Sequence, residues 1–162
     1  RKERQIKWQN TLKSKPPEEI KEINRKKLNG IINQQSKSYS SISQELFIEL
    51  YNKLYNKYTD MRFATLRAGE VNDIGNNNEY IVDVNGNRFR LIDFYIPSIN
   101  KAIEFDGDYW HGSRGNKKRD EIRENEIKQS IDGIQILHVK ECDFKNDRTG
   151  VINTCMRFID EI

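Results

Sequence analysis

The dipeptide Asn85-Gly86 lies between two alternating apolar runs, "EYIVDV" and "NRFRLIDFYIP". Asn-Gly favours a tight two-residue turn in which both positions take positive φ, so the stretch is expected to fold back as an antiparallel hairpin. A third apolar run, "KAIEFDG", follows. The polar segment "NKKRDEIRENEIKQSIDG" then reads as a helix stopped by Gly133, and "IQILHV" reads as a fourth strand. Upstream, "SISQELFIELYNKLYNKY" carries Phe47, Leu50, Tyr51, Leu54 and Tyr58 at helical spacing, with Ser41 and Gln44 as a capping box. "DRTGVINTCMRFIDEI" closes the chain as a helix. The order helix, three strands, helix, strand, helix predicts an α/β domain with a mixed four-stranded sheet flanked by helices.

Charge is unevenly distributed. The net charge of the 162 residues is +3, yet residues 1–40 hold 11 Lys or Arg against 4 Glu, and the remainder holds 17 Lys or Arg against 21 Asp or Glu. Within the first part, "PPEEIKEINRKKLNGI" reads as a helix opened by Pro16 and Pro17, with Glu18 and Glu19 in its first turn and Gly30 at its end. "NQQSKSYSS" reads as a linker. The expected division is a basic helical arm and linker over 1–40 and a second domain over 41–162. An excess of cations, Arg25, Lys26 and Lys27 among them, suits a polyanion as well as it suits a solvated helix face.

Several classes are disfavoured. No apolar run approaches the length of a membrane span, so no membrane partner is expected. There is no signal-peptide pattern. Cys142 and Cys155 are too few for a zinc cage and lack CxxC spacing, which suggests a reduced, cytoplasmic protein. The chain begins at Arg1 rather than a methionine, which suggests a piece of a longer protein.

Side-chain alternation puts Leu91, Asp93 and Tyr95 on one strand face and Ile92, Phe94 and Ile96 on the other. In the third strand Glu104 and Asp106 share a face opposite Ile103 and Phe105. If these strands are neighbours, Asp93, Glu104 and Asp106 gather at one end of one sheet face. Clustered carboxylates need a cation or a proton, and oxygen-rich sites suit Mg²⁺. In the following helix Asp120 lies within about 20° of the direction of Ile127 and Ile131, which points it at the body of the protein. His111, nine residues earlier, is a natural partner, and an Asp–His pair beside a carboxylate cluster outlines a site that activates water. Each residue also has an ordinary role open to it. Asp93 can end a strand by pairing with a lysine, Asp106-Gly107 can be a turn, His111 can lie on a surface loop, and Tyr109 and Trp110 can be packing. The joint pattern is what points to chemistry.

A strand aspartate, an E-x-D strand, a helix and a further strand resemble the PD-(D/E)xK nuclease fold, whose restriction-endonuclease-like core runs αβββαβ. The usual lysine is absent, and Asp106 stands in its place. The stretch "LIDFYIPSINKAIEFDGDYWHG…RDEIRENEIKQSIDGIQILHVKE" is more similar to the very-short-patch mismatch-repair branch and to EDxHD homing endonucleases, including phage endonucleases. The similarity spans roughly residues 41 to 145 and leaves the arm unmatched.

That resemblance implies a Mg²⁺-dependent DNA endonuclease of homing or phage type, with Mn²⁺ as a substitute. It would act on double-stranded DNA in a bacterial or phage-infected cytoplasm. The EDxHD letters fall on Glu45, Asp93, His111 and Asp120. Asp93 would bind the metal with the backbone carbonyl of Phe105, His111 would act as general base, Asp120 would orient it, and Glu45 would reach the metal. Helical geometry alone leaves Glu49 as a rival to Glu45, and the shared strand face leaves Glu104 and Asp106 as additional candidates. Tyr109 and Trp110 match aromatics that wedge between base pairs. The mismatch-repair relatives carry a structural zinc for which this chain lacks cysteines. A repair nickase and a DNA-binding module that has lost cleavage are the alternatives. Cutting both strands would need a homodimer or two sequential events.

Overall fold

The computed structural model describes residues 14–33, 40–64, 79–86, 88–107 and 114–161, without the side chains of 27–33 and 114–117. Helix α1, Pro17–Asn33, begins at the expected proline but continues past Gly30. A glycine inside a helix costs only about 1 kcal/mol against alanine, so it does not by itself end one. Helix α2 spans Ser41–Leu54. Its cap lies one residue earlier than expected: Ser40 Oγ accepts from the Ser43 amide at 3.0 Å, and Ser43 Oγ donates to the Ser40 carbonyl at 2.8 Å. Gln44 is thereby released from capping and turns inward, joining the buried stripe of Ser43, Leu46, Phe47, Leu50 and Leu54.

Among the described residues six strands follow: β1 (Arg62–Phe63), β2 (Tyr80–Val84), β3 (Arg88–Ile92), β4 (Phe94–Ile96), β5 (Lys101–Asp106) and β6 (Gln135–Lys140). Helix α3 (Arg114–Ser130) joins β5 to β6, and α4 (Glu141–Asn146) and α5 (Arg148–Asp160) close the chain. The four-stranded sheet runs β1-β4-β5-β6. Its first two pairings are antiparallel and β5–β6 is parallel, so the sheet is mixed and α3 is the crossover that parallel strands require.

The expected sheet has the right number of strands but not the expected members. β2 and β3 form a separate two-stranded ribbon, and the place of "EYIVDV" is taken by β1, which is too short to leave a periodic signal. The turn is also wider than two residues. Val84 pairs with Arg88, leaving positions 85–87 between them, although Asn85 (φ 55°) and Gly86 (φ 68°) take the positive values expected of them. Asp83 Oδ1 accepts the Gly86 amide at 2.8 Å and holds the turn.

A core lies on each face of the sheet. On one face α2 and α5 pack Leu46, Phe47, Leu50, Ile152 and Cys155 against Phe63, Phe94, Ile96, Ile103 and Val139. Rings of Phe47 and Phe63 lie 5.4 and 5.3 Å from that of Phe94, within the range for favourable aromatic pairs. On the other face α3 places Ile127 over Ala102, Tyr95, Ile92 and Val82. Asn100 ties the start of the parallel pair. Its backbone is left-handed (φ 52°), its carbonyl accepts the Gln135 amide at 2.9 Å, and its side chain accepts from Tyr95 Oη at 2.8 Å. Among the described residues no helix is long and apolar enough to cross a membrane.

Candidate functional site

The run 88–96 does not alternate continuously. Ile92 packs in the core beneath α3, while Phe94 and Ile96 pack in the opposite core and Tyr95 returns to the first. Ile92, Phe94 and Ile96 therefore do not share a face. The chain bends at Asp93 and shifts its phase by one residue, which separates β3 from β4. At that break Asp93 Oδ2 accepts the Phe105 amide at 2.9 Å. The carboxylate thus satisfies a β5 backbone donor at the point where its neighbour strand departs.

Alternation along β5 sends Ile103 and Phe105 toward α2, and Ala102 toward α3. Glu104 is on the α3 side, where it is only 4% exposed. Its Oε2 receives Arg123 Nη1 of α3 at 2.8 Å, and Arg123 also donates to the Leu91 carbonyl. The other oxygen, Oε1, is buried without a hydrogen-bond partner. A buried unpaired acceptor is costly, so the carboxyl favours its proton. Burial, and then the charge of Asp93, push Glu104 up to about 8. Glu79, just before β2, is pushed up to about 7 by the same two causes. Asp93 is itself raised, mainly by burial. Three acids therefore compete for little compensating charge, and the Arg123 guanidinium is the cation that lowers all three.

One step along the sheet, Asp106 accepts from His138 Nδ1 at 3.1 Å, and His138 Nε2 meets Glu124 Oε2 of α3 at 3.0 Å. The hydrogen bond to Asp106, with help from Glu124, pushes His138 up to about 9, so the imidazolium is an ion clamped between two carboxylates. All these groups lie at the carboxyl ends of the parallel strands β5 and β6, beneath α3. That end of an α/β sheet is where ligands ordinarily bind.

The structure brings Asp93, Glu104 and Asp106 to one end of the sheet; alternation along β5 accounts for Glu104 and Asp106, whereas Asp93 arrives there at the break in phase between β3 and β4. It does not bring Glu45 or Glu49 there. Both sit on α2, across the sheet from α3, and both are held by Arg148, at 2.7 and 2.8 Å. Asp120 is exposed, contrary to the expectation that it faces the body. Helical phase fixes its direction, but Asp120 lies two turns N-terminal to Ile127, and burial depends on what stands opposite. His111, Tyr109 and Trp110 lie outside the described residues. Arg25 and Lys26 are exposed on α1, and the side chain of Lys27 is not described.

Four members of the cluster escaped sequence reasoning: Glu79, Arg123, Glu124 and His138. His138 had a signal, because it is a polar residue inside the apolar run 136–139, and it stands in register with Glu104. Arg123 lies four residues before Ile127 and so on the same helix face, which a search for acids alone overlooks.

Comparison with known protein families, curated proteins and solved structures finds no match. Among the described residues no three His, Cys, Asp or Glu side chains are grouped to hold a metal ion. Asp93 and Glu104 are electrostatically coupled, each acid raised mainly by burial, and the unpartnered Glu104 oxygen is a buried acceptor that a proton or a cation would satisfy.

Proposed function

We propose that the protein is a metal-dependent DNA endonuclease that hydrolyses a phosphodiester bond, of the homing or phage type that its sequence resembles. One observation carries the reading: Glu104, with one carboxylate oxygen unpartnered, lies buried beside Asp93 at the carboxyl end of parallel strands. Asp93 and the Phe105 carbonyl, with Glu104 alongside, are the residues that would hold Mg²⁺ or Mn²⁺. Such an ion supplies Lewis-acid stabilisation of charge developing on the phosphate.

The chain's own residues supply the rest. The Phe105 amide fixes one oxygen of Asp93, so its rotamer is set before any ligand arrives. Arg123 orients Glu104. His111, from the segment between β5 and α3, would take a proton from the attacking water, and Asp120 would orient it. The resemblance also assigns Glu45 to the metal, but its partner in the structure is Arg148, so it stands outside the set that Asp93 and Glu104 form. One such centre cuts one strand, so a double-strand break needs a second copy or a second event.

Plasmid DNA incubated with the full chain should be nicked or cut with Mg²⁺, remain intact with EDTA, and be cut again on adding Mn²⁺. Failure to cut any DNA with either ion would sink the reading. One feature favours a second reading, a DNA-binding module of the same fold without cleavage. Arg123 already provides Glu104 with a counter-ion. Metal-independent DNA binding with no cleavage would select that alternative.

A further inference from the structure

Helix α1 is not a detached arm. It lies along the β2–β3 ribbon, and the Lys21 stem reaches the turn: a Cβ built on Gly86 would stand 3.2 Å from Lys21 Cε. Between helix and ribbon runs an open cleft of about 380 Å³ lined by Lys21, Asn24, Arg25, Asp83, Arg88 and Phe89, with Gly86 at the turn. Three of these side chains are cations and one is an anion. The anion, Asp83, already accepts the Gly86 amide.

We propose that this cleft is the track for one sugar–phosphate strand of DNA, an inference that rests on the nuclease reading above. The lining has the chemistry that such a backbone needs. Lys21, Arg25 and Arg88 present charge for phosphates, and half-buried Phe89 presents an apolar wall for a sugar face. The arginines are not locked in place. Arg25 is paired with Glu22 and Arg88 with Glu126, but the two side chains remain 70% and 58% exposed. The Arg25–Glu22 pair is exposed on both sides and is worth roughly 0–1 kcal/mol, so exchanging its carboxylate for a phosphate costs little; Glu126 is only 13% exposed and would be left to its other cation if Arg88 turned to a phosphate. Glu126 keeps a second partner, Arg90, at 2.6 Å.

Placement supports the same strand reaching the acids. β3 runs from the cleft at Arg88 and Phe89 toward the bend at Asp93. Four residues of strand cover about 13 Å, roughly four base steps of duplex. The cleft and the carboxylates are therefore two stations on one path.

The test is salt-dependent binding of a 20-base-pair duplex by the full chain in EDTA, which prevents cleavage. Each lost phosphate contact removes about 0.9 from the slope of log affinity against log salt. The double variant Lys21→Gln/Arg88→Gln should keep the wild-type melting temperature within a few degrees and flatten the slope by about 2. The charge-matched control Lys128→Gln/Lys145→Gln, which alters exposed helix cations elsewhere, should leave the slope unchanged. Equal flattening in both, or none in either, overturns the cleft assignment while the nuclease reading survives. A wild-type chain that binds no duplex at low salt removes both.

Discussion

Asp93 and Phe105 are joined by a single hydrogen bond, carboxylate to backbone amide at 2.9 Å, at the place where β3 gives way to β4. The contact explains how an acid comes to rest among buried strands. It caps a donor that the departing strand no longer pairs, and in doing so it holds a carboxylate beside Glu104 and Asp106.

Asp93→Asn should abolish most cleavage and leave DNA affinity within about twofold. The amide oxygen can still accept from Phe105, so the fold is retained, while the charge that holds a cation is lost. Because burial raises the proton affinity of Asp93, removing its charge should not destabilise the metal-free protein by more than about 1 kcal/mol. Parallel plasmid-cleavage and binding assays check this, and near-wild-type cutting would disprove the role.

Glu104 has a folded-state value of about 8 against an ordinary 4.5. The folded protein thus holds a proton that the unfolded chain releases between these values. Stability should fall as pH rises through that window, and Glu79, at about 7, adds to the fall below neutrality. Glu104→Gln mimics the protonated form and should remove a large part of the slope, gaining on the order of 2 kcal/mol at pH 8 relative to wild type. Urea titrations at pH 5 and pH 8 without metal measure it. Mg²⁺ should narrow the wild-type difference, since a cation replaces the proton. A pH profile identical in wild type and variant would show that the carboxyl is charged throughout.

His138 gains its stabilisation in the charged form. Its value of about 9, above the usual 6.5, means that the contribution is complete below pH 6.5 and is lost as pH rises toward 9. The ring is 40% exposed, so solvent screening reduces the effect to about 1 kcal/mol, or 2–4 °C in melting temperature. His138→Gln should melt a few degrees lower at pH 6 and about equally at pH 9.5. A deficit of the same size at both pH values would assign His138 to packing.

His111→Ala and Asp120→Asn should each lower the cleavage rate by about a hundredfold or more, the typical contribution of general-base catalysis. If the two act as one unit, the double variant loses little beyond either single change. Since Asp120 is exposed, its replacement should leave the melting temperature within about 1 °C, a level expected of surface changes. Multiplicative losses in single-turnover rates would separate their roles.

Periodicity alone was enough to establish the α/β order, the ribbon turning at Asn85-Gly86, the α2 stripe of Phe47, Leu50 and Leu54, and the shared face of Glu104 and Asp106. These are local properties: a strand has period two and a helix 3.6 wherever it lies, and Asn-Gly carries its own dihedral preference. What depended on distant partners was not legible. The phase shift at Asp93 exists because β4 joins β5 while β3 pairs with β2. Two-residue β1 gains its identity only from Phe94 and Tyr95 across the sheet. Helical phase could aim Asp120 but could not bury it. The counter-charges of the carboxylates, Arg123 on Glu104 and His138 on Asp106, come from α3 and β6, 19 and 32 residues away in sequence. The parallel crossover brings them into contact, and no local pattern encodes which acid a distant cation will meet.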